Sequence, residues 1–356
     1  MSTELTNFQK GRGAQKNADN PYLKNSYVTE HIEGIDEPFI DGTVKTEFFT
    51  EHSKKIINKV NSPDIGSGFS MNPYQGCEHG CIYCYARNSH QYWGFSAGID
   101  FESKIVVKKN AALLLAKAFD HHSWKSHPIM FSGNTDCYQP AERKYKLTRQ
   151  MLEVCLKYKN PVSMITKNSL ILRDLDLLKE MAALNLVHVS VSMNSLREEI
   201  RLKLEPRTAS MPQRLKTMEE LSKNGIPVNI MVAPIIPGLT DHEIPEVIKA
   251  AADRGVLSAH FTIVRLNGSI AEIFTDWVQK AFPERAEKIL HQIAECHGGK
   301  LNDSRYGTRM SGEGKTAEAI TDLFRLSRKR YMEGREMPDY DLTLFKRPGN
   351  GQMSLF

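Results

Sequence analysis

Long apolar runs are missing from this chain of 356 residues, because no uninterrupted apolar stretch is long enough to cross a bilayer. The polar first ten residues also lack the apolar h-region of a secretory signal. These two absences predict a cytoplasmic protein with no membrane segment. A large charge excess is absent too, since 47 Lys and Arg against 42 Asp and Glu leave a formal net charge of +5. This mild excess permits a polyanionic partner without requiring one.

Cysteine is scarce and unevenly placed, with six residues in the whole chain. Three of them lie close together at Cys77, Cys81 and Cys84. The other three stand alone, at Cys137, Cys155 and Cys296. Disulfides are rare in the cytosol, so this distribution indicates a metal site rather than a disulfide framework.

Strand-like and helix-like patterns alternate through most of the chain. Six short apolar stretches predict strands, at residues 68–73, 129–132, 162–166, 187–193, 228–234 and 259–264. Helical patterns follow them, at residues 110–120, 147–158, 171–184, 213–224, 244–254 and 271–296. Strands alternating with helices indicate βαβ units around a parallel sheet. Six units are fewer than the eight of a complete barrel, so we predict an α/β fold with a partial (β/α)6 TIM-type barrel.

The segments outside the barrel differ in composition. We predict a polar N-terminal extension at residues 1–64 and the barrel at residues 65–300. A C-terminal helical cap is expected at residues 301–340, with its helix near 316–332, and a flexible tail at 341–356. Ligands of parallel α/β sheets bind at the carboxyl ends of the strands. Several polar residues follow predicted strands, so we expect them to form an active site at that rim.

The clustered cysteines have the spacing C-x3-C-x2-C. Three thiolates on one short loop can hold a cubane iron–sulfur cluster and leave one iron without a protein ligand, which is what a substrate-binding cluster needs. A zinc site with His79 or His90 as the fourth ligand is an alternative. Burial of the cysteines as small hydrophobic residues is another, although Gly, Glu, His and Tyr flank them.

With Tyr83 directly before the third cysteine, the motif resembles the signature of the radical SAM superfamily. Within it the chain resembles the branch of spore photoproduct lyase and DNA-repair photolyase-like proteins. Further matching stretches are residues 135–140, 166–168, 172–174, 205–207 and 233–238. The resemblance implies a [4Fe–4S] cluster on the three cysteines and S-adenosylmethionine (SAM) on the open iron. One electron from the cluster then cleaves SAM to a 5′-deoxyadenosyl radical, which takes hydrogen from the substrate.

Four residues are implied at the methionine end of SAM. Ser132, Asn134 and Asp136 follow the second strand, where relatives contact the methionine amine. An ordinary capped turn is the alternative for this stretch. Lys167 follows the third strand, and the resemblance pairs it with the methionine carboxylate. A solvated surface lysine is its alternative.

Four more residues are implied at the nucleoside end. Ser192 and Asn194 follow the fourth strand, where they would bind the ribose hydroxyls. Tyr83 and the backbone around Ala233 would lie near the adenine. Plain apolar packing is the alternative for the stretch around Ala233.

Photoproduct-lyase chemistry needs a hydrogen donor, and a thiol suits that task. Cys137 lies beside the predicted cofactor site and is a candidate for this catalytic role. Ser132, however, occupies the position at which the thiol of the lyases aligns. A buried structural cysteine is the alternative for Cys137.

The last five residues, Gln352-Met353-Ser354-Leu355-Phe356, resemble the peptide that binds the bacterial sliding clamp. A near-copy at 341–345 is either an echo of this motif or a segment that docks on the enzyme body. Packing of both segments on the barrel is the alternative to clamp binding. The basic run Arg325–Arg330 is either a phosphate-contacting face or a solvated helix face.

These features favour a radical SAM enzyme that acts on DNA, as a lyase in DNA repair or as a base-modifying enzyme. The first alternative is a radical SAM enzyme acting on RNA or protein. The second is a non-catalytic, metal-containing DNA-processing factor associated with the clamp. The resemblance also implies an external electron donor such as flavodoxin or ferredoxin.

Overall fold

The computed structural model describes residues 11–22, 45–66 and 68–348. Within these ranges the strands are β1 (Glu47–Thr50), β2 (Ile57–Lys59), β3 (Phe69–Met71), β4 (Tyr74–Gln75), β5 (Lys104–Val107), β6 (Ile129–Phe131), β7 (Val162–Thr166), β8 (Val187–Ser192), β9 (Val228–Ile235) and β10 (Ser258–Ile263). The α-helices are α1 (Ile99–Ser103), α2 (Ala111–Asp120), α3 (Glu142–Tyr145), α4 (Leu147–Tyr158), α5 (Leu175–Ala183), α6 (Glu198–Leu204), α7 (Met211–Lys223), α8 (Ile244–Ala252), α9 (Ser269–Ala281), α10 (Ala286–Glu295) and α11 (Gly314–Met332). Segments of 3-10 helix lie at Tyr85–Trp93, Ser169–Asp174 and Asp241–Glu243.

The main sheet has seven strands in the order β10-β9-β8-β7-β6-β3-β2. The six strands from β3 to β10 in this sheet are parallel to their neighbours, while β2 adds to the edge antiparallel to β3. Neighbouring parallel strands are joined through helices, which is the connection that parallel pairing requires. The predicted partial (β/α)6 barrel is therefore confirmed.

The strands bury one face more completely than the other. In β7, Val162 and Met164 are fully buried in the main hydrophobic core, whereas Ser163 and Ile165, which alternate with them, are half-buried. This alternation follows from the two-residue period of a strand. It was the pattern that allowed the strands to be predicted within a few residues of their observed ends.

Two features differ from the sequence-based expectation. The helix expected at residues 271–296 is two helices, α9 and α10, because Pro283 lies between them and cannot continue a helix. A second sheet of three strands, in the order β1-β5-β4, was not predicted. It matters for the site because β4 ends directly before the cysteine loop.

The C-terminal segment runs along the end of the barrel at which the strands begin. Arg335 donates to Ala252 O at 2.8 Å, and the Asp341 amide donates to Asn185 O at 3.1 Å. Further along, the ring of Phe345 packs against those of Phe119 and Tyr158. The near-copy at 341–345 thus docks on the enzyme body. Residues 352–356, which carry the clamp-like motif, lie outside the described residues.

Helix α11 matches the helix expected in the C-terminal cap. On it, Arg325 has a side chain that is 74% exposed and lies 3.1 Å from Asp322. In the described parts of the chain, none of the helices combines the length and the apolar character needed to cross a membrane.

Candidate active site

The cysteine loop begins where β4 ends, and backbone hydrogen bonds anchor it on both sides. The amide of Cys77 donates to Phe101 O at 2.8 Å, and that of Ile82 donates to Leu204 O at 3.0 Å. Between them, the amide of Glu78 donates to the side-chain oxygen of Gln139 at 3.0 Å. These bonds fix the loop before any cofactor binds.

Two glycines make the tight path of this loop possible. Gly76 and Gly80 have φ values of +77° and +69°, in the left-handed region that side chains disfavour. Space is equally restricted, since a Cβ on Gly76 would lie 2.8 Å from Lys104 O. A Cβ on Gly80 would lie 2.9 Å from the carboxylate of Glu102.

The three thiols share a buried environment that suits a cationic cluster. Burial raises the pKa of Cys77, Cys81 and Cys84, and the nearby thiols of the loop add to the rise at Cys77. Thiolates in this place need positive charge, which the iron of a cluster supplies. Among the described residues, no three His, Cys, Asp or Glu side chains are arranged around a single-ion site. A cubane cluster is larger than one ion, so its ligands stand further apart.

The two histidines named for the zinc alternative have different surroundings. His79 Nδ1 lies 3.3 Å from Asp136 Oδ2, and its Nε2 lies 3.1 Å from the side-chain nitrogen of Asn168. The His90 ring packs against the rings of Phe95 and Phe101, with centroids 5.1 and 5.6 Å away. Burial lowers the pKa of His90 to about 4. His79 is thus held by polar partners on both nitrogens, whereas the His90 ring is held by aromatic packing and its two nitrogens have no hydrogen-bond partner among the described residues.

A buried ion pair supports the loop from behind. Arg87 Nη2 lies 2.5 Å from Glu102 Oε1, and both side chains are inaccessible to solvent. The same guanidinium donates from Nε and Nη2 to Cys81 O, at 3.0 and 2.9 Å. Arg87 thus connects Cys81, one of the three predicted cluster ligands, to Glu102. Sequence reasoning missed this pair, because isolated charges in a sequence give no sign of burial.

The N-terminal segment at residues 11–20 covers this ion pair. The amides of Gly13 and Ala14 donate to the two carboxylate oxygens of Glu102, at 3.0 and 2.7 Å. Gly13 lies so close to the loop that a Cβ there would be 1.8 Å from Gly80 O. The segment, which we call the N-terminal strap, therefore belongs to the architecture of the site.

Lys167 follows β7 at the rim where the strands end. Its Nζ lies 5.9 Å from the centroid of the Tyr83 ring. Burial would lower its pKa, but Cys81 and Glu205 outweigh burial and keep the pKa above its ordinary value. Over the described ranges Lys167 forms no ion pair. A charged ammonium group without a bound carboxylate fits the role predicted for it, pairing with the methionine carboxylate of SAM.

Asp136 is occupied by protein donors. Its carboxylate accepts from the Lys167 amide at 2.8 Å, from Thr166 Oγ1 at 2.9 Å and from the Tyr138 amide at 2.8 Å. Burial would raise its pKa, but His79 and these amides outweigh burial and lower it. Asp136 therefore joins the turn after β6 to the end of β7, a structural task that sequence analysis did not foresee. Contact with the methionine amine stays a prediction.

The turn after β6 holds three more of the predicted residues. Ser132 has a φ of +68°, and its Oγ accepts from the Cys137 amide at 3.0 Å. Asn134 donates to the side-chain oxygen of Gln75 at 2.6 Å, which ties the turn to β4. Cys137 is fully buried in the main core, and burial raises its pKa. These contacts are those of a capped turn with a buried cysteine, and the catalytic role of Cys137 stays a prediction.

Asn194, which follows β8, is a predicted site residue whose buried side chain lacks hydrogen-bond partners among the described residues. It is 1% exposed, and neither its side-chain oxygen nor its side-chain nitrogen has a hydrogen-bond partner within the described ranges. A buried amide without partners is costly, so a ligand that supplies them is expected. Ribose hydroxyls would do so. Ser192 is buried nearby on β8, and Ala233 is half-buried on β9 before a cis peptide bond to Pro234.

Tyr83 belongs to a buried network that was not predicted. Its hydroxyl donates to Glu205, which also forms an ion pair with Arg214, and both charged side chains are inaccessible to solvent. Arg214 further donates to Ser192 O at 2.9 Å and to Ala209 O at 3.0 Å. Burial would raise the pKa of Glu205, but Arg214 and Lys167 outweigh it and lower the pKa. The network fixes Tyr83 beside Lys167 and joins the cysteine loop to β8.

Together, the partial barrel, the cysteine loop and the Lys167–Tyr83 pair define an iron–sulfur enzyme site at the carboxyl ends of the strands. Residues 71–251 match the radical SAM superfamily, and the chain belongs to this superfamily. Its cofactors are a [4Fe–4S] cluster and SAM, and the cluster requires a reductant.

Relatives and solved structures agree with this assignment. The chain is 32% identical over 256 residues to an uncharacterized protein of Mycobacterium tuberculosis, covering 71% of this chain and 74% of the relative. It is 25% identical over 252 residues to the radical SAM Nalpha-GlyT isomerase of Pseudomonas phage M6, covering 70% of this chain and 50% of that one. Its fold matches spore photoproduct lyase complexed with dinucleoside spore photoproduct, with a TM-score of 0.61 and 15% identity. That match covers 85% of this chain and 86% of the lyase.

Proposed function

We propose that this protein is a radical SAM enzyme that acts on DNA, repairing or modifying a base. When bound, the cluster and SAM supply a radical that takes a hydrogen atom from the substrate. The chain itself would position SAM, because Lys167 would pair with the methionine carboxylate and Asn194 would bind the ribose hydroxyls. The three cysteines hold the cluster in a loop that Glu102, Arg87 and the N-terminal strap support from behind.

The observation that carries the choice of substrate is the position of Tyr85. This residue directly follows Cys84, is 54% exposed, and donates from its hydroxyl to Gly133 O at 2.9 Å. Surrounding protein nevertheless raises the pKa of the hydroxyl. The residue is thus exposed, while burial of its hydroxyl raises the pKa of that group. An aromatic ring held in this way beside the cluster offers a stacking surface for a base.

Similar proteins support the same choice. Spore photoproduct lyase, whose fold this chain shares, has been solved with a dinucleoside photoproduct bound. The phage relative is named for an isomerase reaction, so the similar proteins do not all share lyase chemistry. We therefore propose a DNA substrate without assigning the reaction to the lyase type.

The experiment measures 5′-deoxyadenosine released under anaerobic, reducing conditions. The protein is incubated with SAM alone and with single-stranded DNA, RNA of the same sequence, or a peptide mixture. We expect DNA to stimulate release and the other polymers to have little effect. Stronger stimulation by RNA or by the peptide mixture would show that the substrate is RNA or protein rather than DNA. Absence of release under all conditions would favour a non-catalytic factor instead.

A second proposal concerns partners. The match of residues 352–356 to a clamp-binding peptide supports association with the bacterial sliding clamp, which would keep a cytoplasmic enzyme near DNA. Titration of the clamp with the full chain and with a chain ending at residue 351 tests it. The full chain should bind with micromolar affinity and the shortened chain should not. Flavodoxin or ferredoxin is the proposed electron donor.

A further inference from the structure

A loop after the last barrel strand brings a basic side chain to the cluster side of the mouth. Arg265 lies two residues beyond the end of β10. Its loop is attached to the 3-10 segment that follows the cysteines, because Asn88 donates to Asn267 O at 2.8 Å. On its other side the Leu266 amide donates to Leu301 O at 2.9 Å. Arg265 is thus placed by two fixed contacts, next to the segment that begins with Tyr85.

Arg265 forms no salt bridge with the described residues, although the nearby carboxylates of Asp64 and Asp303 oppose the lowering of its pKa. Its one hydrogen bond among the described residues goes to a backbone oxygen, Asp303 O, at 3.3 Å. The carboxylate of Asp303 is itself bound by Arg305, at 2.8 Å. Burial, followed by Arg309, lowers the pKa of Arg265. A half-buried guanidinium with only a carbonyl partner is costly, and a bound anion would relieve the cost.

Arg309 adds a second positive charge at the same place. Its Nη2 donates to Ser62 Oγ at 2.6 Å, and its Nε lies 2.5 Å from Asp64 Oδ2. The guanidinium also lies 4.5 Å from the centroid of Tyr306. Arg309 is therefore held in position by its own partners. Asp64 pairs with Arg309 and Asp303 pairs with Arg305, so Arg265 is left without a salt bridge among the described residues.

An aromatic surface adjoins this charge. The hydrogen bond from Asn88 to Asn267 O brings the loop of Arg265 to the segment that begins with Tyr85, and the charge of Arg265 opposes the rise in the pKa of the Tyr85 hydroxyl. Tyr85 is 54% exposed, as described above. A guanidinium and an exposed ring side by side match the two parts of a nucleotide, since phosphate binds arginine and the base stacks on the ring.

We propose that Arg265, with Arg309 beside it, binds a backbone phosphate of the nucleic acid segment whose base stacks on Tyr85. This inference rests on the proposed function and assigns a position to the substrate. Phosphate contacts position a nucleic acid without reading its sequence, so the site would set which nucleotide faces the cluster. It lies at the mouth of the barrel and is separate from the basic run on α11.

The experiment measures binding of a fluorescent ten-nucleotide thymidine oligonucleotide to the cluster-loaded protein at several salt concentrations. Arg265→Gln should weaken binding roughly 10- to 100-fold. It should also reduce the slope of log K against log salt by about 0.7, the value for one lost phosphate contact on a single strand. Arg265→Lys should retain the slope and lose part of the affinity. Arg325→Gln, the same charge change on exposed α11, should change neither quantity.

Iron content and SAM binding of each variant report on its folding independently of the oligonucleotide. Unchanged affinity and slope in Arg265→Gln, with tight binding by the unmodified protein, would overturn this inference alone. An equal loss in Arg325→Gln would move the phosphate contact to α11 and overturn it as well. Failure of the unmodified protein to bind any oligonucleotide would overturn the DNA substrate and this inference together.

Discussion

Lys167 Nζ lies 5.9 Å from the centroid of the Tyr83 ring, which joins the end of β7 to the cysteine loop. Tyr83 is fixed from its other side by Glu205, so the lysine faces a rigid surface. Burial and the ion pair with Arg214 hold this carboxylate in place. The ammonium group is thus positioned before SAM binds, and preorganised charge of this kind gives affinity and orientation together.

Replacing this lysine should weaken SAM binding. Lys167→Ala removes a charge-assisted contact to the methionine carboxylate, so we expect a loss of about 1.5–3 kcal/mol in binding free energy. Equilibrium dialysis with labelled SAM measures it on cluster-loaded protein. Lys179→Ala, an exposed lysine on α5, is the control and should bind normally. Unchanged affinity in the Lys167 variant would remove this residue from the site.

The cluster ligands are tested by iron content. We expect each of the substitutions Cys77→Ala, Cys81→Ala and Cys84→Ala to abolish the brown chromophore of anaerobically purified protein. The loop offers three thiolates to the cluster, so the loss of one leaves only two to hold it. Cys155→Ala is the matched control, since this cysteine is fully buried in the main core away from the loop. Stoichiometric zinc without iron in the unmodified protein would contradict the assignment.

The N-terminal strap should protect the cluster. Gly13→Ala places a Cβ against Gly80 O, so the strap must move away from the cysteine loop. We expect faster loss of iron to a chelator, with SAM binding retained before the chelator is added. Gly66→Ala is the control, because no atom lies within 4 Å of a Cβ at that position. Equal rates of iron loss in the two variants would mean that the strap does not shield the cluster.

The buried His90 predicts a pH dependence of stability. Burial lowers its pKa from 6.5 to about 4, against the attraction of Asp100 and with the repulsion of Lys104 and Arg87. Between those pH values the unfolded chain binds a proton that the folded chain does not. The free energy of unfolding should therefore fall as the pH decreases from 6.5 to 4, with His90 contributing about 3 kcal/mol.

Urea unfolding under anaerobic conditions measures this dependence. His90→Phe should flatten the fall between pH 6.5 and 4, whatever its effect on stability at neutral pH. His122→Phe is the control, because that histidine is exposed. A fall of the same size in His90→Phe and the unmodified protein would show that other groups cause it.

The barrel strands could be predicted because alternation of apolar residues is a local signal. The cysteine loop could be predicted because its spacing is local too. The contacts that support the cysteine loop from behind could not be predicted, because they join residues that are distant in sequence. Glu102 accepts from Gly13 and Ala14, and neither partner indicates the other in the sequence. Charged residues such as Arg87 are usually exposed, so their burial follows only from the complete fold.

At the site itself, the carboxylate of Asp136 accepts hydrogen bonds from the protein, which its sequence position did not indicate. Its position after a strand suggested a ligand contact, yet the nearest donors are the amides of Lys167 and Tyr138. A residue at the end of a strand serves the neighbouring strand or the ligand, and sequence position does not distinguish these roles. Asn194 also follows a strand, and there neither the oxygen nor the nitrogen of its side-chain amide has a partner among the described residues, which is what a ligand contact requires.

The most direct test of the account follows hydrogen from the substrate. Deuterated DNA is incubated with cluster-loaded protein, SAM and a reductant, and the mass of the released 5′-deoxyadenosine is measured. We expect deuterium to appear in 5′-deoxyadenosine when the DNA is deuterated, and this transfer to be lost with Cys81→Ala. Release of 5′-deoxyadenosine that carries no deuterium from DNA, but gains it from deuterated RNA or peptide, would contradict the account.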